Sequence, residues 1–134
     1  MNQSTEGVAV AVRAVIAAHA QAQDAGRTDD IVALYTSDAV LEVPGMDPAN
    51  GREALRAAFK GWAPERPQLH IVSNTVLTHV GTEEDDEVTA VSDVAFLQRG
   101  DSGWAVQLVG RYQDTLCRDE GAWRFKRRSS TFTA

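Results

Sequence analysis

The chain has 134 residues, of which 43% are hydrophobic and 24% charged, and its formal net charge is −6. Its length suits one domain, 1–134, and its composition is that of an ordinary globular protein that can bury a core. The acidic balance argues against unspecific nucleic-acid binding, which needs a basic patch.

The N-terminal part of the chain predicts three helices. Apolar residues recur at spacings of four and three over 8–22, which is the stripe of an amphipathic helix, and Gly26 fits its end. Thr28 can cap a second helix. Asn50 and Glu53 have the spacing of a capping box and predict the start of a third helix.

The C-terminal part predicts long strands separated by turn residues. An antiparallel meander follows from the three consecutive hairpins, and the acidic run 83–86 is interpreted as a solvated turn. Helices followed by antiparallel strands predict an α+β domain, with a strongly curved sheet around the helices. The predicted strands are 40–43, 68–80, 87–98, 103–118 and 122–133.

His70 opens an alternating apolar run and is the most informative residue of the chain. In a regular strand, His70, Val72, Asn74 and Val76 would share one face. Imidazole can both take and give a proton near neutral pH, so His70 is a candidate acid–base residue. The alternative is a core histidine that is hydrogen-bonded to a neighbour.

The order of the predicted elements and several local sequences resemble the SnoaL-like family of the nuclear transport factor 2-like superfamily. The resemblance implies a cone-shaped α+β barrel, with three N-terminal helices packed in a strongly curved, mostly antiparallel sheet. It covers nearly the whole chain and is more specific for the fold than for a reaction. The segments that carry it are 23–35, 37–42, 50–55, the His-x-x-x-Asn stretch 70–74, 110–114 and 121–125.

Enzymes of this family include scytalone dehydratase, bile acid 7α-dehydratase, ketosteroid isomerase and polyketide cyclases. Several of the lyases use an Asp at the end of the first helix and a His on the first long strand, and Asp24 and His70 match these positions. Some members have a catalytic tyrosine five residues before the Asp. Here that position is His19, which is either a third catalytic residue or a core histidine.

The chain also departs from these relatives. Ser92 stands where scytalone dehydratase has a second strand histidine, and Val43 stands where ketosteroid isomerase has its base. We find no acid near 111–113 to match the donor of that isomerase. These differences argue against steroid isomerisation by the same mechanism.

The resemblance implies a cofactor-free, metal-free lyase, cyclase or isomerase in which Asp24 orients His70 for general acid–base catalysis. The first helix should end near Asp24 and turn its carboxylate towards the imidazole. The alternative is a ligand-binding module or a structural subunit like the small subunit of ring-hydroxylating dioxygenases. Candidate donors to the substrate are His19, Asn74, Ser92 and Arg111, where Arg111 could instead form a surface or interface pair. Candidate apolar walls are Val43, Phe59, Trp62 and Val76.

The late strands also predict how the molecule associates. Trp104, Val106 and Leu108 would lie on one face of a regular strand, and Ala105 and Val109 on the other. One face would line the cone and the other needs cover, because large exposed apolar patches mark partner sites. We therefore expect a homodimer through the outer sheet face.

The remaining expectations concern location and partners. Cys117 has no second cysteine to pair with, and the polar N-terminus lacks the basic region of a signal peptide. No apolar stretch is long enough to span a bilayer. We expect a cytoplasmic protein that binds a small hydrophobic ligand and neither nucleic acid nor membrane.

Overall fold

The computed structural model describes residues 4–81 and 86–133, so the acidic turn predicted at 83–86 lies outside it except for Asp86. In chain order the described elements are α1 Thr5–Asp24, α2 Thr28–Val32, β1 Tyr35–Glu42, β2 Ala49–Asn50, α3 Gly51–Gly61, β3 Gln68–Val80, β4 Glu87–Gly100, β5 Gly103–Asp119 and β6 Ala122–Thr133.

The six strands form a curved sheet in the order β2-β1-β6-β5-β4-β3. β3 to β6 are the predicted antiparallel meander, and β1 extends the sheet by pairing parallel to β6. α1 packs across β3, and α3 packs across β1. The predicted α+β fold with a strongly curved, mostly antiparallel sheet is confirmed.

Local sequence explains the limits of α1. The Ser4 hydroxyl accepts a hydrogen bond from the Gly7 amide at 3.0 Å and caps the first turn. The helix ends at Asp24, as predicted, and Gly26 follows with a φ of +70° that favours glycine. Asp24 therefore lies where the helical hydrogen bonds stop and the chain turns.

The second and third helices differ in detail from the predictions. α2 is only five residues long, and its N-cap is Arg27 instead of Thr28. The Asn50 side chain donates to the Pro48 carbonyl and makes no bond to the helix, because the short strand β2 runs directly into α3. Tyr35 opens β1 and is fully buried there.

Four β-bulges break the simple alternation of the long strands. Asn74 has a φ of +56° where the register of β3 and β4 shifts. The side chains that face inward are therefore even-numbered before this bulge and odd-numbered directly after it. A second shift, at Gln107, turns Leu108 inward and Val106 outward, which corrects the single face predicted for them. A third inserts Lys126 into β6, and a fourth lies between Leu77 and His79 on β3.

The closed end of the cone is filled by rings. His19, Tyr35, Phe59 and Phe125 contact one another edge-on or tilted, with centroids 5.2–6.0 Å apart. Such pairs add stability beyond the area that they bury. Within the described ranges, none of the helices is long and apolar enough to cross a membrane.

Candidate functional site

A cavity of about 430 Å³ lies inside the cone, between the sheet and the helices. Its walls come from the end of α1, from β1 and α3, from the loop after α3 and from the four strands of the meander. It is lined by His19, Gln23, Leu41, Val43, Phe59, Gly61, Trp62, Ala63, Pro64, Glu65, Arg66, Gln68, His70, Val94, Phe96, Gln98, Leu108, Tyr112, Arg128, Ser130 and Phe132.

Asp24 and His70 contact each other at this wall. Nδ1 of His70 lies 2.6 Å from Oδ1 of Asp24, and the side chains are only 11% and 12% exposed. A carboxylate can only accept, so Nδ1 carries the hydrogen, and in the neutral form of the ring Nε2 is the acceptor. The predicted contact between the end of the first helix and the first long strand is therefore present.

Two further hydrogen bonds fix the carboxylate. Oδ2 of Asp24 accepts from the His70 backbone amide at 2.7 Å, and Oδ1 accepts from the Gln68 side chain at 3.2 Å. The His70 ring also stacks on Phe96, with centroids 4.6 Å apart. These contacts leave the imidazole one orientation, in which Nε2 is the ring nitrogen not used by Asp24.

His19 lies deeper in the same cavity. It is 1% exposed, and its Nε2 is 2.8 Å from the hydroxyl of Tyr35. Burial, followed by the charge of Arg128, lowers the pKa of His19 well below 6.5. Its Nδ1 is sealed from solvent and has no partner among the described residues. Because Nε2 is bonded to Tyr35 and Nδ1 is sealed, neither ring nitrogen is accessible to a ligand, which favours the interpretation of His19 as a core histidine.

A buried ion pair was missed by the sequence analysis. Arg128 donates from Nε and Nη2 to the two carboxylate oxygens of Asp114, at 2.8 and 3.0 Å. Its guanidinium also lies 3.8 Å from the ring centre of Tyr112. Burial opposes the charge of Arg128, but Asp114 outweighs it and raises the pKa of the guanidinium.

Three candidate site residues lie on the outer face of the sheet. Asn74 and Val76 were expected on the face of His70, but the bulge turns both outward, and Asn74 donates to Asp93. Arg111 also pairs with Asp93 on the outer face, at 3.0 Å, which agrees with the alternative of a surface pair. Hydrogen bonds from Asn74 and then Arg111 lower the pKa of Asp93.

The other predicted lining residues have mixed placements. Ser92 faces inward but is fully buried away from the cavity, where its hydroxyl is 2.7 Å from that of Thr75. Val43 and Phe59 line the cavity, and Trp62 lines it while remaining 39% exposed. In the part of the chain that the structure describes, no group of three His, Cys, Asp or Glu could hold a metal ion.

Comparison with known proteins identifies the domain. The model of the SnoaL-like domain matches residues 9–129. No curated protein matches the sequence. A candidate scytalone dehydratase from Novosphingobium aromaticivorans is 24% identical, with a TM-score of 0.80 over 92% of this chain and 83% of that one.

Two further solved structures are similar in fold. A protein from Catenulispora acidiphila in complex with S-DNPA is 22% identical, with a TM-score of 0.84 over 96% of this chain and 95% of that one. The beta subunit of a candidate aromatic-ring-hydroxylating dioxygenase from Novosphingobium aromaticivorans is 20% identical, with a TM-score of 0.81 over 98% and 93%.

Proposed function

Because the chain belongs to the SnoaL-like domain family, we propose that it is a small cofactor-free lyase, cyclase or isomerase. Its substrate would be a small hydrophobic, ring-containing carbonyl or hydroxyl compound. The observation that carries the proposal is the 2.6 Å contact between Asp24 and His70 at the wall of the cavity. An imidazole oriented by a carboxylate is a competent general base.

In the proposed reaction, Nε2 of His70 removes a proton from the carbon next to a carbonyl. The C–H electron pair forms a carbon–carbon double bond and the carbonyl oxygen takes the negative charge. When the carbonyl re-forms, the bond to a β-hydroxyl breaks and the imidazolium returns the proton to it. The products are an unsaturated ketone and water, and His70 is neutral again. General acid–base catalysis of this kind contributes roughly 10²–10⁴-fold.

The apolar lining supports a ring-containing substrate. Val43, Phe59, Val94 and Phe96 provide flat and branched walls, as is usual for pockets that bind small organic ligands. Similar proteins include a candidate scytalone dehydratase and a protein that binds S-DNPA. Both comparisons are compatible with a small organic ligand in this cavity.

The second candidate is a non-catalytic ligand-binding module or a structural subunit of a larger complex. The outer sheet face favours association, because Ile71, Val106 and Val109 are 49–58% exposed there. A dioxygenase beta subunit is among the similar structures. The open cavity and the oriented His70 favour the enzyme. In either case we propose a homodimer through this face.

Proton exchange separates the two functions without knowledge of the natural substrate. The probe is α-tetralone in deuterium oxide, and NMR follows the loss of its α-proton signal. We expect the protein to accelerate exchange and His70→Gln to abolish the acceleration. His79→Ala is the matched control, because His79 is exposed. No acceleration by the wild-type protein, or equal acceleration by His70→Gln, would contradict the proposed enzyme.

A further inference from the structure

Three polar side chains on the β5–β6 wall of the cavity are not used by the proposed reaction. Tyr112 and Ser130 are cross-strand partners, and Arg128 lies two residues before Ser130 on the same face. All three line the cavity, and they are 3–7% exposed. We call Tyr112, Arg128 and Ser130 the donor wall.

The donor wall has hydrogen-bonding capacity that the protein does not fill. Arg128 uses Nε and Nη2 on Asp114, whereas its Nη1 and the hydroxyls of Tyr112 and Ser130 make no hydrogen bond within the described residues. Among the described residues, the sealed polar side-chain atoms without a partner are only His19 Nδ1 and Arg124 Nε. The three donor-wall groups are therefore open to the cavity. Buried polar groups normally have partners, so these three groups can bond to water or to a ligand that enters the cavity.

Arg128 presents a positive charge to the cavity and so favours a negative group at the wall. The guanidinium of Arg128 lines the cavity, whereas its partner Asp114 does not. The other charged residues of the lining, Glu65 and Arg66, lie in the loop after α3 and oppose each other in sign. The field of Arg128 also contributes to the lowered pKa of His19, which keeps that ring neutral.

We propose that the donor wall binds the carboxylate of a ring-containing ligand, so that the substrates or products of this cavity are aromatic or cyclic acids. The inference rests on the proposed function, because it assigns a chemical class to the ligand of the same cavity. A carboxylate has two oxygens and about four acceptor positions, which suit three donors better than a single ketone oxygen does. Burial raises the pKa of Tyr112, so its hydroxyl remains a donor at neutral pH.

Isothermal titration calorimetry with two probes of nearly the same shape tests the inference. The probes are naphthalene carboxylate and the corresponding primary amide. We expect the carboxylate to bind about tenfold tighter or better, since hydrogen bonds to charged groups are the stronger ones. Equal binding of both probes, or no binding of the carboxylate at millimolar concentration, would overturn the inference.

Matched variants locate the preference. Removing Arg128 alone would leave Asp114 buried without a partner, so the double variant Asp114→Leu/Arg128→Met replaces the ion pair with apolar groups of similar size. We expect it to lose the preference for the carboxylate. Tyr112→Phe, which changes one oxygen, should weaken carboxylate binding severalfold. Arg111→Met is the control, because Arg111 lies next to Tyr112 on the outer face and should leave the preference unchanged.

The two proposals fail in different ways. His70→Gln should abolish exchange of α-tetralone but keep the preference for naphthalene carboxylate. Exchange without a carboxylate preference would leave the enzyme proposal standing and reject the acidic ligand. A carboxylate preference without exchange would reject the enzyme and support a binding module for cyclic acids. A preference that survives in the double variant would place the anion elsewhere and overturn the donor wall.

Discussion

At the residue scale, Asp24 acts entirely as an acceptor, with three hydrogen bonds from Gln68 and His70. Asp24→Asn replaces one acceptor oxygen with an amide nitrogen that cannot accept. We expect the exchange rate of α-tetralone to fall roughly 10²–10⁴-fold, because His70 loses its fixed tautomer. The dissociation constant of the ligand should hardly change. Asp93→Asn, on the outer face, is the control, and an unchanged rate in Asp24→Asn would count against the dyad.

The two buried tyrosines offer a matched pair for stability. Tyr35→Phe removes the partner of His19 Nε2, so both ring nitrogens of that buried histidine would lack partners among the described residues. We expect a loss of about 1–3 kcal/mol in the free energy of unfolding, measured by urea denaturation. Tyr112→Phe should lower the free energy of unfolding much less, because the hydroxyl of Tyr112 is open to the cavity. Equal losses in the two variants would refute this difference.

Stability should also depend on pH through His19. The pKa of His19 is about 6.5 when the chain is unfolded and well below 6.5 in the folded protein. Between these values the unfolded state binds more protons than the folded state. The contribution of neutral His19 to the free energy of unfolding is therefore fully present above pH 6.5 and is lost as the pH falls. Urea midpoints of wild type and His19→Gln measured between pH 6.5 and roughly 5, above the ordinary carboxyl pKa values, should show a flatter slope for the variant. Parallel slopes would contradict this assignment.

At the element scale, Gly110 allows the close approach of β5 and β6. A Cβ at this position would collide with the backbone carbonyl of Thr131 and with the ring of Phe132. We expect Gly110→Ala to lower the free energy of unfolding by about 1–3 kcal/mol, as overpacking does. Gly61→Ala, where nothing lies within 4 Å of the added atom, should be neutral or slightly stabilising. Thermal unfolding followed by circular dichroism compares them, and similar melting temperatures for the two variants would disprove the steric argument.

The long strands were predicted almost to the residue because they carry alternating apolar residues bounded by turn residues. What alternation cannot reveal is a bulge, since one extra residue leaves the local composition unchanged and exchanges the two faces after it. The bulge at Asn74 therefore removed Asn74 and Val76 from the predicted cavity wall. The bulge at Gln107 likewise placed Leu108 and Val106 on opposite faces of β5, although they were predicted on one face.

The site was predictable where a family resemblance and a helix end coincide, as at Asp24 and His70. Arg128 was missed because it ends the run Lys126-Arg127-Arg128, and the side chains of such a basic run are expected to be exposed to solvent. The bulge at Lys126 places Phe125 and Arg128 on the same inward face. One signal was available: Asp114 alternates with buried neighbours on β5, and a charge on such a face requires a partner.

At the scale of the whole molecule, the outer sheet face carries a band of apolar side chains. Leu69, Leu97 and Val106 form one row across the strands, and Ile71, Ala95 and Val109 form the next. We expect a homodimer at micromolar concentration in multi-angle light scattering. The double variant Ile71→Lys/Val109→Lys should be monomeric, because it would bring unpaired charges into the contact.

Val10→Lys provides the control for this experiment. Val10 is 70% exposed on α1, away from the sheet face, so a lysine there changes the surface charge without touching the proposed contact. It should remain dimeric. A monomeric wild-type protein, or a dimer that persists in the double variant, would show that the outer face is not the interface.

The parallel pairing of β1 with β6 bears on how the protein is made. Tyr35 pairs with Phe125, two residues separated by about two thirds of the chain. During synthesis β1 has only the two-residue strand β2 as a neighbour until β6 has left the ribosome. Contacts so distant in sequence slow folding, because the chain loses loop entropy before it gains packing. His19 and Tyr35, at the closed end of the cone, thus lack their ring partner Phe125 until β6 is synthesised, so this aromatic cluster is completed only then.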